Sequence, residues 1–445
     1  MHGSHRGLSF GTAWVKQAAT NFGWLAVERG VRLALSVVVG FWVARHLGPA
    51  GFGTLNYCLA LVGLWGIFPA LGLDQVVRRE LILRPERADQ ILVNAFGLRT
   101  AGGLITVGLL IMVLVTGGGW MNAEERRVVG VLSLLLFQPA LTVPDLWLQA
   151  TLQAKYATAA QTLALIVGAI VRIGLILFNE PLWSFAAAVV VEMLAAAVGL
   201  WWLGWRRSLP FRLTGRIDGR TTKALLSEAW PLMFASLAIM IYMRIDAVML
   251  RQMLGPVAVG IYSAAVRISE IWYFIPVALA SSLLPALLHK RTGGEAAYQR
   301  GLQQYLDLNA AIAYALALPI AFISPWVIRT AYGSAYAGAA GVLAVHIWSS
   351  VFVFLGVARG QWLVNEKMVR FYLVTTIVGA IANVALNLVL IPWSGPLGAA
   401  WATVISYALA AWLSSLIYPP ARAIGRMQTR ALLLPLLGWR YLRSI

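Results

Sequence analysis

Two stretches set 207 residues apart decide how this chain folds: Ala44-Arg45-His46-Leu47-Gly48-Pro49-Ala50-Gly51-Phe52-Gly53 and Leu254-Gly255-Pro256-Val257-Ala258-Val259-Gly260. Leu47, Gly48, Pro49, Gly53 and, further on, Pro69 align without a gap on Leu254, Gly255, Pro256, Gly260 and Pro276. Each stretch is a Leu-Gly-Pro corner set between long apolar runs, so each joins two helices. The chain therefore reads as two related halves. In membrane proteins such internal repeats mark transporters whose substrate path lies between the halves.

Composition places both halves in a bilayer. Of 445 residues, 60% are hydrophobic and 12% charged, with mean hydropathy +0.77. A soluble chain carries roughly twice that charge. Runs of about 20 apolar residues recur throughout, each long enough for a hydrocarbon core of about 30 Å. Backbone groups in lipid must be paired internally, and the runs lack the alternation of barrel strands, so they are helices. The pattern predicts about twelve spans, near 24–46, 52–73, 91–116, 128–150, 157–178, 182–205, 230–253, 257–287, 305–324, 337–358, 369–391 and 396–417. The expected architecture is all-α and polytopic, with two pseudo-symmetric six-helix lobes. Residues 1–205 form the first lobe, 206–229 a basic cytoplasmic linker, 230–417 the second lobe, and 418–445 a cytoplasmic or interfacial tail. No cleaved signal peptide is expected before Asn21.

The net charge of +18 would fit a nucleic-acid binder if it were clustered on a soluble face, but it follows the topology instead. With a cytoplasmic amino terminus, the expected inner loops hold 17 Lys and Arg, among them Arg78, Arg79, Arg84, Arg87 and Lys155, whereas the outer loops hold five, Arg45, Arg126, Arg127, Arg251 and Arg329. This positive-inside bias predicts a multi-pass protein of the cytoplasmic membrane with both termini inside. It also predicts contact with anionic membrane lipids, and excludes nucleic acid as a partner. Tryptophans near span ends, such as Trp120, Trp205, Trp326 and Trp393, read as interfacial belts. The lone cysteine, Cys58, reads as small apolar filler.

Ionisable groups inside spans cost roughly 2.5–3.5 kcal/mol each at mid-membrane and call for an explanation. At the 207-residue offset, Arg244, Asp246, Arg267 and Glu270 fall on Val37, Val39, Ala60 and Gly63. Only the second copy carries charge, so symmetric packing does not need it. Arg244 lies 11 residues before Gly255 and Arg267 lies 12 after it, which puts both about 16–18 Å below the outer corner. Arg244 and Asp246 are about 200° apart on one helix, whereas Arg267 and Glu270 share a face. The expected arrangement has Asp246 steadying one arginine across the helix pair while another points into a cavity. Nearer the cytoplasm, Glu28 and Arg32 suit an i,i+4 pair and leave Arg29 free. Arginine suits phosphate because its planar fork donates paired hydrogen bonds and stays charged. Arg244, Arg267, Arg29 and Arg32 are therefore the candidate substrate-binding residues, and Asp246 and Glu270 the candidate ion-coupling residues. Arg172 and Glu192, on adjacent spans, read as a structural pair.

No nucleotide-binding loop, metal-ligand cluster or substantial outer loop is present, so neither a cofactor nor an enzyme activity is expected. The corner sequence, the run Leu71-Gly72-Leu73-Asp74 followed by Arg78-Arg79-Glu80, the stretch from Asp246 to Ala265, and Gly395-Pro396-Leu397-Gly398-Ala399-Ala400 together resemble the polysaccharide and O-antigen flippases. These belong to the multidrug/oligosaccharidyl-lipid/polysaccharide exporter superfamily. The resemblance covers the whole chain in length and span count. It implies a V-shaped alternating-access transporter that carries a polyprenyl-diphosphate-linked oligosaccharide to the outer leaflet. It also implies polysaccharide polymerase machinery as a partner, and a monomer is the simplest state. Two other readings compete: a cation-coupled drug or metabolite antiporter on the same fold, and a membrane polysaccharide polymerase or ligase.

Overall fold

The computed structural model describes residues 12–116, 119–211, 217–291 and 294–435, with side chains from Leu35 onward except at 281, 284–286 and 288–289. Eleven helical stretches among the described residues are long and apolar enough to cross a membrane. The first, Leu35–Leu83, folds back at Gly48 and so supplies two crossings, which makes twelve. Helices α1 (12–47) and α2 (49–65, extended by Ile67–Ala70 and Leu73–Leu83) flank that corner. There follow α3 (Ala88–Thr116), α4 (Ala123–Ala150), α5 (Ala154–Leu177) and α6 (Leu182–Arg206). The second half holds α7 (Gly219–Leu254), α8 (Pro256–Ala280), α9 (Glu295–Tyr332), α10 (Ala339–Asn365), α11 (Val369–Ser394) and α12 (Pro396–Ile417). A short helix, α13 (Arg422–Leu432), closes the described chain.

The sequence repeat is also a conformational repeat. Gly48 has φ 65° and ψ 175°, and Gly255 has φ 92° and ψ −179°. Both occupy a positive-φ region that strains side-chain-bearing residues, and a proline with preset φ starts the next helix. Beyond each corner the second helix breaks before its proline, at Gly66 in one half and in the 3-10 turn Ile271–Tyr273 in the other.

Several helices overrun their hydropathic cores. The span expected near 230–253 begins at Gly219, so residues 219–229 of the expected linker are helix, capped by the Asp218 carboxylate accepting from Thr221 N–H at 2.8 Å. The span expected at 305–324 runs from Glu295 to Tyr332. Hydropathy registers only the lipid-facing middle of a helix, and polar turns that continue into the head-group layer are lost to it. An interfacial segment is expected around residues 432–439, and the helix that precedes it, α13, buries Ile424, Gly425, Gln428 and Ala431 against the second half. The tail beyond residue 435 lies outside the described residues.

The two halves meet most closely at the glycine corners. A Cβ on Gly53 would lie 1.8 Å from the Pro256 carbonyl oxygen, and one on Gly260 would lie 2.0 Å from that of Pro49. The contact is reciprocal, a backbone-to-backbone crossing of α2 and α8 that only hydrogen side chains allow. Around it, on what we term the hinge side, the Tyr336 hydroxyl donates to Ala44 O at 2.7 Å, Arg45 donates to the carbonyls of Ala331 and Thr330, and Tyr332 packs edge-on against Phe41. Glu125, fully buried, forms a capping box with Asn122 and accepts from Arg251 Nε at 2.5 Å across the halves. Replacing Glu125 by Gln leaves Arg251 without its carboxylate. Breaking a buried pair costs about 3–5 kcal/mol, and the partial exposure of Arg251 puts the expected loss at or below the lower end. The measurable outcome is greater labelling of a cysteine placed at Gln252.

On the opposite, basic side, a Cβ on Gly72 would lie 2.5 Å from Met233 N and 2.6 Å from Ala229 O, so the end of α2 presses on α7. Arg79 pairs there with Glu228.

Candidate functional site

Below the hinge-side seal lies a cavity of about 570 Å³. Its walls come from α1 (Ser36, Gly40), α2 (Asn56), α4 (Gln138, Thr142), α5 (Gln161, Arg172), α6 (Glu192) and, from the other half, Arg267 on α8. The lining combines amides and hydroxyls, which suit sugar hydroxyls, with three formal charges.

The charges are not balanced. Arg172 Nη2 and Glu192 Oε2 are 2.6 Å apart, the structural pair expected from sequence, and the pair stands on the cavity wall. Across the α7–α8 corner, Arg244 pairs with Glu270 at 3.5 Å, with the arginine side chain 43% exposed and the carboxylate 19%. Arg267 lies between these pairs, near enough for Arg172 and Arg244 to repel it and Glu270 to attract it. It forms no hydrogen bond or ion pair with any described residue. Its guanidinium carbon sits 5.9 Å from the Phe52 ring centre, and a Cβ on Gly40 would come within 2.5 Å of its Nη1. Gly40 thus keeps open the slot that the guanidinium fills. Among the described residues three guanidiniums, Arg172, Arg244 and Arg267, face two carboxylates, Glu192 and Glu270, and Arg267 is the cation outside the two pairs.

Asp246 departs from expectation. It is 2% exposed and steadies no arginine. Its carboxylate accepts from the Tyr262 hydroxyl at 2.5 Å, Thr403 Oγ1 at 2.9 Å and Asn387 Nδ2 at 2.5 Å, in the interior of the second half. Asn387 also donates to Asn383 Oδ1 at 3.1 Å. The angular separation on α7 explains the correction: with Arg244 turned to the central space, Asp246 must face α8, α11 and α12, where only neutral donors await it. A buried carboxylate held by neutral donors has no fixed counter-charge and can exchange a bound proton or cation. Arg99, by contrast, is structural, donating to Asp74 and to Pro139 O. The side chains of Glu28, Arg29 and Arg32 lie outside the described residues, so the structure unites two of the four candidate arginines with Glu270 and sets Asp246 apart. Asn56, Gln138 and Gln161 carried no sequence signal, because each is a neutral polar residue without a charge or motif to single it out.

A twelve-helix, two-half architecture with a charged cavity between the halves defines a class of membrane transporter. Solved structures share the fold. The chain superposes on lipid II flippase MurJ in an inward closed conformation with TM-score 0.70 at 13% identity, covering 94% of this chain and 92% of that one. It superposes on an inward-facing multidrug resistance MATE family transporter of the MOP superfamily with TM-score 0.65 at 17% identity, covering 90% and 95%. In sequence it is 24% identical over 405 residues to the probable flippase AglR of Haloferax volcanii, covering 87% of this chain and 80% of that protein. A family model described as polysaccharide biosynthesis protein matches residues 18–289, more than half of the chain. The chain belongs to the polysaccharide biosynthesis protein family. Its relatives are flippases and transporters, not enzymes.

Proposed function

We propose that this protein is a flippase for a polyprenyl-diphosphate-linked oligosaccharide, moving it from the inner to the outer leaflet of the cytoplasmic membrane by alternating access. The observation that carries the reading is Arg267, a guanidinium without an ion-pair or hydrogen-bond partner among the described residues, on the wall of a polar cavity of about 570 Å³. An uncompensated cation away from bulk water is a standing cost, which an anionic cargo offsets on arrival. Diphosphate suits it, because the arginine fork matches two phosphate oxygens. Arg244 is the second ligand, released from Glu270 by the incoming charge, and Arg29 and Arg32 are further candidate ligands by their sequence position nearer the basic side. The glycan meets the amides of the cavity while the polyprenyl chain stays in lipid.

The lobes 1–205 and 230–417 move about the glycine corners, with 206–229 as their connection and the basic side, both termini included, in the cytoplasm. The charge bias of the loops supports that orientation. The protein acts as a monomer beside the polymerase machinery that consumes its cargo. Asp246 is the coupling group, loading a proton or cation in one state and releasing it in the other. Glu270, engaged by Arg244, senses the cargo instead. On this account Asp246→Asn still equilibrates lipid between leaflets but loses its response to an imposed proton or sodium gradient. Proteoliposomes tested with and without each gradient decide the point, and an unchanged gradient response would remove Asp246 from the coupling role. Export of cationic dyes with no movement of the lipid-linked sugar would favour the antiporter reading.

A further inference from the structure

A second buried arginine lies outside the central cavity. Arg359, on α10, is 2% exposed and belongs to no ion pair among the described residues. Its Nη1 donates to Ala410 O at 2.9 Å, and its Nη2 lies 3.2 Å from Ser414 Oγ and 3.4 Å from Thr375 Oγ1. Its Nε is buried with no partner. Neutral acceptors and the Phe371 ring, 5.2 Å from the guanidinium carbon, hold this group, and no carboxylate among the described residues pairs with it.

The surroundings are built to hold it. Residues Leu409–Leu413 of α12 form a π-turn, a feature that recurs at functional sites. The turn turns two carbonyls outward: Ala410 O accepts from Arg359, and Ala411 O accepts from Gln428 of α13 at 2.9 Å. Arg359 borders a pocket of about 210 Å³ walled by α7, α8, α10, α11 and α12. These helices occupy the same places in the second half as the α1, α2, α4, α5 and α6 walls of the larger cavity do in the first. In the first half the cavity arginine, Arg172 on α5, has Glu192, whereas among the described residues no carboxylate lines the pocket beside Arg359 on α10. Tyr242, Tyr372 and Tyr407 line the pocket, and their hydroxyls make no hydrogen bond among the described residues. Tyr372 and Ile239, 37% and 38% exposed, stand at its mouth between α11 and α7. Arg359 is six residues from the end of α10 at Asn365, about 9 Å along the axis, close to the head-group level of the basic-side leaflet.

We propose that the Arg359 pocket binds a phosphate group, that of a membrane phospholipid entering between α7 and α11. Arg359 supplies the charge and the tyrosine hydroxyls supply neutral donors, while the acyl chains remain in the bilayer. The pocket admits a phosphate but is too small for an oligosaccharide, so it is separate from the transport site. A resident lipid there bridges α7 to the α10–α12 bundle.

Native mass spectrometry on delipidated full-length protein tests this, with phosphatidylglycerol and, separately, inorganic phosphate as titrants. Wild type is expected to retain one phosphatidylglycerol at least tenfold more tightly than Arg359→Gln, while other basic-side lipids bind both alike. Inorganic phosphate held as tightly as the lipid would keep the phosphate site and make its source soluble. Should Arg359→Gln fail to fold, Val353→Trp fills the pocket and keeps the arginine, and it is expected to lose the same single lipid. Equal lipid retention by wild type and the folded variants, with no phosphate bound, would overturn the proposal.

Discussion

Arg267→Gln is expected to reduce transport of a diphosphate-linked substrate by tenfold to a hundredfold while leaving the protein at least as stable as wild type. The two halves of that expectation come from one observation. Arg267 has no partner among the described residues, so its removal orphans nothing and relieves a charge held among Arg172 and Arg244. Thermal unfolding in detergent should therefore show no loss. The role proposed for it is to hold a ligand, and hydrogen bonds to charged groups contribute about 1.5–3 kcal/mol, roughly one to two decades in affinity. Arg172→Gln makes the contrasting control. It leaves Glu192 without its partner at 2.6 Å, so stability falls together with transport. A variant of Arg267 that unfolds as Arg172→Gln does would place Arg267 among the structural residues.

Gly260→Ala is expected to prevent closure on the hinge side. A methyl at that position would lie 2.0 Å from Pro49 O and 2.8 Å from its carbonyl carbon, and no side chain stands between that could move aside. Only separation of α2 from α8 relieves the overlap. Overpacking costs typically 1–3 kcal/mol when side chains can adjust, and a backbone carbonyl adjusts less. A penalty of that size confined to the closed state shifts the population by about one to two decades toward the open one. Spin labels at Arg126 and Ala335, both exposed on the hinge side, should report a longer distance distribution in Gly260→Ala than in wild type. Gly53→Ala should do the same, because its Cβ meets Pro256 O from the other direction. Unchanged distances in both variants would show that the crossing is not what closes that side.

What could be read from sequence was what repeats or what depends on depth. The corner at Gly48 and its copy at Gly255 were legible because a fixed offset preserved glycine and proline together, and the backbone angles agree at both. The common level of Arg244 and Arg267 followed from counting residues down two helices that share one corner. The Arg172–Glu192 pair was legible because its members sit on consecutive spans. Partner choice was not legible where it depends on helix rotation and on distant segments. Tyr262, Asn387 and Thr403 converge on Asp246 from 16, 141 and 157 residues away, and nothing local in α7 announces them. The sequence likewise gave Glu270 and Arg267 one face without revealing that Arg244 would claim the carboxylate and leave Arg267 alone. Arg359 attracted no attention because it falls one residue past the span expected at 337–358 and so reads as one more inner-loop cation; the helix runs on to Asn365, and the burial of Arg359 is visible only once α11 and α12 are in place.

The central claim is that a lone guanidinium in the inter-lobe cavity receives the diphosphate of a lipid-linked glycan. Its most direct test is the leaflet-to-leaflet movement of a fluorescent polyprenyl-diphosphate sugar in proteoliposomes, comparing wild type with folded Arg267→Gln. The account predicts rapid movement in wild type and at least a tenfold loss in the variant. Equal rates in the two proteins, or no movement in wild type, would contradict it.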